Sequence, residues 1–224
     1  MRITFITGTD TGVGKTLVTA LLLAHLRRRG LHALAMKPFC SGARDDVDLL
    51  QTIQQHELTD GEMNPFYFRQ PLAPMVAARQ ARRKEITIEQ VLASIDAVAS
   101  KCEWLLVEGA GGLLAPLAPK LTALDLIQAL HCRVCIVAAN RLGTLNHTLL
   151  TIRALPLSLE RTAKIVLNEI GPDPDLSSRT NRVILPELVR PIPVISIPWL
   201  GANAEASVGK HARRLALRLK SIAE

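Results

Sequence analysis

Aromatic side chains are scarce in this chain of 224 residues: 3%, made up of four Phe, two Trp and one Tyr. A nucleic-acid surface that works by stacking bases on rings therefore has almost nothing to build with. Long apolar runs are missing too. None approaches the roughly 18 residues that mark a membrane span, so no membrane partner is expected. Met1-Arg2-Ile3-Thr4 passes straight into a strand pattern with no signal-peptide stretch before it, and the expected compartment is the cytoplasm. Cysteines number four, Cys40, Cys102, Cys132 and Cys135. Cys132 and Cys135 form a lone C-x-x-C without the second pair that a four-ligand zinc site needs, and Cys135 lies in the apolar run Val134–Ala139. Reduced, packed thiols are expected. Acidic residues are fewer than basic ones, 20 against 27, giving a net charge of +7. The excess gathers in Arg27–Arg29, in Arg79 with Arg82–Lys84, and in Arg213, Arg214, Arg218 and Lys220. The first and last of these close expected helices, where cations favour the negative end of the helix dipole. A solvated basic surface, useful to an anionic small molecule, is expected in place of a nucleic-acid footprint.

What is present is an alternation of short apolar runs with longer helical periodicity. Candidate strands are Ile3–Thr7, Ala33–Lys37, Trp104–Glu108, Val134–Ala139, Ala163–Asn168 and Val194–Ile197. Candidate helices are Thr16–Arg29, Asp46–His56, Thr87–Lys101, Ala123–Leu130, Leu145–Leu155, Ser177–Val189 and Ala206–Ile222. Several strands are nearly continuous in apolar residues, as a parallel sheet covered on both faces requires. The expected fold is α/β: a doubly wound, mainly parallel sheet with helices on both faces, in one domain over residues 1–224. The proline-rich stretches near Pro65–Pro74 and Pro172–Pro174 read as surface loops.

Residues Gly8 to Thr16, Gly-Thr-Asp-Thr-Gly-Val-Gly-Lys-Thr, stand between the first strand and the first helix. That context suits a phosphate-binding loop: glycines remove side chains and a helix N-terminus offers free N–H groups. Lys15 can reach β- and γ-phosphates, and the Thr16 hydroxyl can coordinate Mg²⁺. Five residues separate Gly8 from Gly14, one more than the usual loop. In open α/β sheets ligands bind at the carboxyl ends of strands, and every candidate strand here exits into polar, Gly or Pro residues. Glu108 ends the strand Trp104–Glu108, where an acid can hold Mg²⁺ beside Thr16, and Gly109, Ala110, Gly111 and Gly112 allow close approach. Lys37 ends the second strand, where it could stabilise charge on a transferred phosphoryl group. Asp45, Asp46 and Asp48 open a helix; two of the three read as capping residues and one as a further Mg²⁺ ligand, and spacing does not choose which. His147 is either near a substrate or in a structural hydrogen bond.

Taken together these segments resemble the dethiobiotin synthetase family. The matching stretches are residues 8–16, Lys37-Pro38, Ser41-Gly42, Asp45–Val47, Asn64–Phe66, Val107–Gly112, Leu142–Thr151, Asn168 and Ile197–Leu200, in family order over nearly the whole chain. The lengthened loop opening Gly-Thr-Asp-Thr is a family trait. The resemblance implies an ATP-dependent ring closure: 7,8-diaminopelargonic acid takes up CO₂ (or bicarbonate) as a carbamate, ATP phosphorylates it, and the second amine closes the ring to dethiobiotin. By position, Gly12, Val13, Gly14, Lys15, Thr16 and Leu17 would hold the nucleotide phosphates, with Gly109–Gly111 beside them. Thr16, Asp46 and Glu108 would surround Mg²⁺. Lys37, with Lys15 and Thr11, would be catalytic, and Ser41 would position the carbamate or amine. Asn168, Glu169, Pro198, Trp199, Leu200 and Glu205 would line the adenine side. Gly143, Thr144, Leu145 and Asn146 would seat the substrate carboxylate from a neighbouring subunit, which implies a homodimer. Met75 stands where members often carry histidine. The alternative is a partition-type P-loop ATPase that switches on DNA or a protein partner; such proteins carry a second lysine early in the loop, and Thr9-Asp10-Thr11 has none. An amidase-type relative would carry a glutaminase domain, for which the chain has no room.

Overall fold

A computed structural model describes residues 1–224. The first strand, β1 (Arg2–Gly8), runs through the glycine-rich loop into α1 (Lys15–Arg28), then β2 (Ala33–Met36) and β3 (Phe39–Ser41). Next come α2 (Asp45–Ile53), α3 (Asp60–Met63), β4 (Phe66–Phe68), α4 (Pro74–Gln80), α5 (Ile88–Ala99) and β5 (Trp104–Glu108). A small hairpin of β6 (Pro116–Ala118) and β7 (Leu121–Thr122) precedes α6 (Ala123–Leu130), β8 (Arg133–Ala139), α7 (Thr144–Ala154), α8 (Leu157–Glu160) and β9 (Ala163–Asn168). The chain ends in α9 (Leu176–Leu188), β10 (Val194–Ile197), a 3₁₀ turn at Ala204–Ser207, α10 (Val208–Arg214) and α11 (Ala216–Ala223).

Six strands form one sheet in the order β10-β9-β8-β1-β5-β2, every pair parallel. The chain moves one way across the sheet from β1 to β2 and the other way from β2 to β10. Right-handed crossovers then put α1 on one face and α5, α6, α7 and α9 on the other. The packing agrees: α1 meets α2, α10 and α11, while α5 meets α6 and α7 meets α9. Both faces being covered, β1, β5, β8 and β9 are buried almost throughout, and this explains their unbroken apolar runs. Helix starts follow local chemistry. Thr59, Thr87 and Thr122 each accept a hydrogen bond from the backbone N–H of the third helical residue, whose own side-chain oxygen accepts one from the cap N–H.

Three expectations are corrected. The second strand stops at Met36 instead of Lys37, because the Lys37 N–H turns away to the Met63 carbonyl (2.9 Å) and Pro38 has no N–H to continue the ladder. The stretch Pro65–Pro74 is not only loop: β4 pairs with β3, and Phe39 stacks on Phe66 at 5.0 Å. Helix Ala206–Ile222 is broken into a 3₁₀ turn, α10 and α11, so that Val208, Ala212 and Leu215, then Leu219 and Ile222, all reach the core. All four cysteines are unpaired, and Cys132 and Cys135 are buried as expected, with burial driving both thiols up to about 12. No helix is long and apolar enough to cross a membrane.

Candidate active site

The strand ends converge as the topology demands. Thr11, Gly12, Gly14, Lys15, Thr16, Leu17, Lys37, Ser41, Asp46, Glu108, Ala110, Gly111 and Glu205 all line one cleft of about 910 Å³. Its floor is the glycine-rich loop. Gly14, at φ 93°, caps α1, and a Cβ there would lie 2.2 Å from the Asn168 amide nitrogen, so both its backbone angle and its neighbour require glycine. That Asn168 nitrogen donates to the Val13 carbonyl at 3.1 Å and holds the loop against the end of β9. Lys15 Nζ is bonded back to the Asp10 carbonyl at 2.9 Å. Burial pushes the Lys15 ammonium down to about 8; Glu108 opposes the shift and Lys37 adds to it.

Beside the loop lies a compact set of charges. Glu108, at 0% exposure, accepts hydrogen bonds on Oε1 from Thr16 Oγ1 (2.7 Å) and Lys37 Nζ (2.8 Å). Lys37 also bonds Asp46. Burial disfavours the Lys37 charge, yet Glu108 and Asp46 more than reverse that, and its pKa ends above the ordinary lysine value. Asp46 is held low: burial opposes its charge, and Lys37 outweighs burial. Of the three acids that open α2, Asp46 is the one that lines the cleft and pairs with Lys37; Asp45 and Asp48 are exposed. The Glu108 Oε2 is buried with no partner.

Other expected site residues sit differently. Val13 and Gly109 are buried behind the cleft wall, Gly109 so tightly that a Cβ would meet the Phe5 ring at 2.9 Å. Asn168 is buried with Oδ1 unpartnered, and Pro198, Trp199 and Leu200 are half-buried just past β10. Glu169 does not reach the cleft: its carboxylate is taken up by Asn140 and by Arg182 at 2.8 Å. Gly143, Thr144, Leu145 and Asn146 open α7 but are not part of this chain's cleft wall. His147, Leu150, Thr151 and Ala154 are, at helical spacing along one face of α7, and the His147 ring has no hydrogen-bond partner. Leu72, Leu113 and Leu114 add apolar wall that sequence reasoning missed. The periodicity of α7 was visible; which of its faces meets the cleft depends on contacts far apart in the chain.

A parallel sheet feeding a glycine-rich loop onto a helix N-terminus, with lysine and threonine there and an acid on the next strand, defines a P-loop NTPase-type nucleotide-binding protein. A family model described as an AAA domain matches residues 2–206. The ATP-dependent dethiobiotin synthetase of Anaeromyxobacter sp. (strain K) is 40% identical over 96% of this chain and 96% of its own length. That of Bacillus subtilis (strain 168) is 38% identical over 94% and 91%. The chain belongs to the dethiobiotin synthetase family. Among solved structures, the MinC:MinD complex of Aquifex aeolicus matches with a TM-score of 0.58 at 15% identity, covering 96% of each chain. A ParA family ATPase from Chlorobium tepidum matches at 0.56 and 16%, over 99% of this chain and 96% of its own. These two share the fold.

Removing Lys37 leaves Glu108 buried beside a lone hydroxyl. Lys37→Met is expected to cost about 3–5 kcal/mol of stability, and Lys37→Met with Glu108→Gln together much less than the sum of these two single changes. Denaturant unfolding of the three variants measures this; additive losses would contradict the pairing.

Proposed function

We propose that this chain is an ATP-dependent dethiobiotin synthetase, working over residues 1–224 as one domain. It closes the ureido ring of 7,8-diaminopelargonic acid with CO₂ and releases ADP and phosphate. The observation that carries the reading is the second lysine. A phosphate loop needs one lysine to grip a nucleotide; here Lys37, delivered by another strand, enters the same cleft and is fixed by Asp46 and Glu108. Phosphorylation of a carbamate brings carbamate, γ-phosphoryl and ADP charges to one point, where a fixed cation is most effective. The relatives named above carry this activity in their names.

In this reading the N–H groups of Gly12 to Leu17 receive the phosphates at the positive end of α1. Lys15 exchanges the Asp10 carbonyl for β/γ oxygens. Lys37 keeps its proton because two carboxylates hold it charged, so it acts as a fixed positive charge and not as a base. One amine takes up CO₂; the carbamate oxygen attacks the γ-phosphorus, an O–P bond forms and the bond to ADP breaks. The second amine attacks the carbonyl carbon, loses a proton and expels phosphate. Thr11 and Ser41, both on the cleft wall, position the carbamate and amines. Thr16, Asp46 and Glu108 would hold Mg²⁺: a hydroxyl and two carboxylates are hard oxygen donors, and the unpartnered Glu108 Oε2 fits such a ligand. When bound, the ion would neutralise charge on the nucleotide and the transferring group.

The adenine side is read at Asn168, whose unpartnered Oδ1 can accept from an exocyclic amine, with Pro198 to Leu200 and Glu205. Leu72, Leu113 and Leu114 suit the alkyl chain of the diamine. The carboxylate seat is read at Gly143–Asn146, offered to the cleft of a second copy in a homodimer. Supporting this, Leu142, Leu150, Leu157, Leu176, Val183 and Leu188, on or beside α7, α8 and α9, are exposed apolar side chains that a second copy would cover. A cytoplasmic location belongs to the same reading.

Incubation with diaminopelargonate, bicarbonate, Mg²⁺ and ATP is expected to release phosphate only when the diamine is present. Diamine-independent hydrolysis stimulated by DNA would overturn the assignment in favour of a switch ATPase. The lowered Lys15 pKa adds a pH dependence. Phosphates bind the protonated amine, so ATP affinity is flat below pH 8 and weakens as pH rises through about 8, by up to about tenfold per unit. Calorimetric titrations at pH 7 and 9 test it; equal affinities would remove Lys15 protonation from binding.

A further inference from the structure

Outside the cleft, two strand ends and a helix meet in a buried polar network that the reaction as described does not use. Asn140 follows β8, Glu169 follows β9, and Ser178, Asn181 and Arg182 belong to α9. Asn140, Glu169, Ser178 and Asn181 are each buried. The Asn140 amide nitrogen donates to Glu169 Oε1 and to the Ser178 carbonyl at 2.8 Å. Two acceptors on that nitrogen fix the orientation of the amide, so its oxygen faces Asn181, which donates to it at 3.1 Å. The same Asn181 nitrogen donates to the Arg141 carbonyl at 3.1 Å. Arg182 completes the set with Nε and Nη2 on Glu169, both at 2.8 Å.

The two ends of this network are what give it a role. The Arg141 carbonyl also accepts the Thr144 N–H at 3.1 Å, in the turn that starts α7, with Gly143 at φ 91°. At the other end, the Asn140 N–H donates to the Asn168 carbonyl at 2.7 Å, and the Asn168 side chain holds Val13 of the phosphate loop. A continuous hydrogen-bonded path thus runs from the nucleotide loop to the N-terminus of α7. Burying an acid with two amides and a hydroxyl costs more than apolar packing of the same volume. In exchange, a fully satisfied network stabilises one geometry over its neighbours.

We propose that Asn140, Glu169 and Asn181 are positioning residues for ring closure. They fix the direction in which α7 presents its free N–H groups and tie that direction to the phosphate loop. This rests on the reading of Gly143–Asn146 as the carboxylate seat, and wild-type turnover of the diamine tests that broader reading separately. The variants are Asn181→Leu, Glu169→Leu and Glu169→Gln, the last of which keeps an acceptor for Asn140 and Arg182.

With the two Leu variants, KM for the diamine is expected to rise about tenfold, with KM for ATP and kcat at saturating diamine within about threefold of wild type. Glu169→Gln is expected to restore near-normal KM. With a diamine that lacks the carboxylate, wild type and Leu variants are expected to turn over alike, a readout that loss of stability does not mimic. Unchanged KM for the diamine would overturn the proposal, as would equal losses with both diamines or Glu169→Gln as impaired as Glu169→Leu. Should either Leu variant fail to fold, Asn181→Ser is judged by the same comparison.

Discussion

A carboxylate with no solvent around it has to be neutralised where it lies, and Glu108 is such a group. Its partners come from elsewhere in the chain: Lys37 from the end of β2 and Thr16 from the first turn of α1, with Asp46 of α2 on the far side of the lysine. One buried interaction therefore joins the phosphate loop, two neighbouring strands and the helix that walls the cleft. Buried ion pairs are poor stabilisers compared with apolar packing, because desolvation offsets most of their attraction. Their presence at the carboxyl edge of the sheet makes sense as pre-set electrostatics for phosphoryl chemistry, held in place before any ligand arrives.

The rest of the fold serves that cluster. A parallel sheet buried on both faces gives β1 and β5 no freedom to slide, and their register sets Ile6 opposite Glu108. The strand ends are then rigid platforms from which short loops carry Thr16, Lys37 and the glycines after Glu108. Several buried polar atoms in this region have no protein partner, among them Glu108 Oε2 and Asn168 Oδ1. Orphans of this kind are costly in a finished core. Glu108 Oε2, whose residue lines the cleft, fits a site completed by its ligands.

Much of the sheet was legible in the sequence because strands covered on both faces must be apolar throughout: Trp104–Glu108 and Ala163–Asn168 came out with their observed bounds, as did the half-buried edge strand Val194–Ile197. The three-residue strands β3 and β4 were not, since such short segments have no period to read. The long C-terminal helix was misread because its apolar spacing continues across the bend at Leu215. Of the site, the phosphate loop, Lys37 and Glu108 were legible from their place at strand ends. Spacing did not choose Asp46 over Asp45 and Asp48, because that depends on where Lys37 lies in space; only the family resemblance named it. Glu169 shows the opposite limit: position along the chain put it near the nucleotide, while Arg182 and Asn140 draw its side chain away. The identity of the diamine came from resemblance to a family, since no residue pattern spells a substrate.

The central claim is that Lys37 acts on the transferring phosphoryl group as a fixed charge, separate from nucleotide grip by the loop. Single-turnover phosphoryl transfer by Lys37→Gln, beside its ATP affinity by calorimetry, tests this most directly. The account predicts ATP affinity within a few-fold of wild type and a transfer rate reduced by about a hundredfold or more, the scale of losing one electrostatic donor. A variant that transfers phosphate at the wild-type rate, or loses transfer only in proportion to ATP affinity, would contradict it.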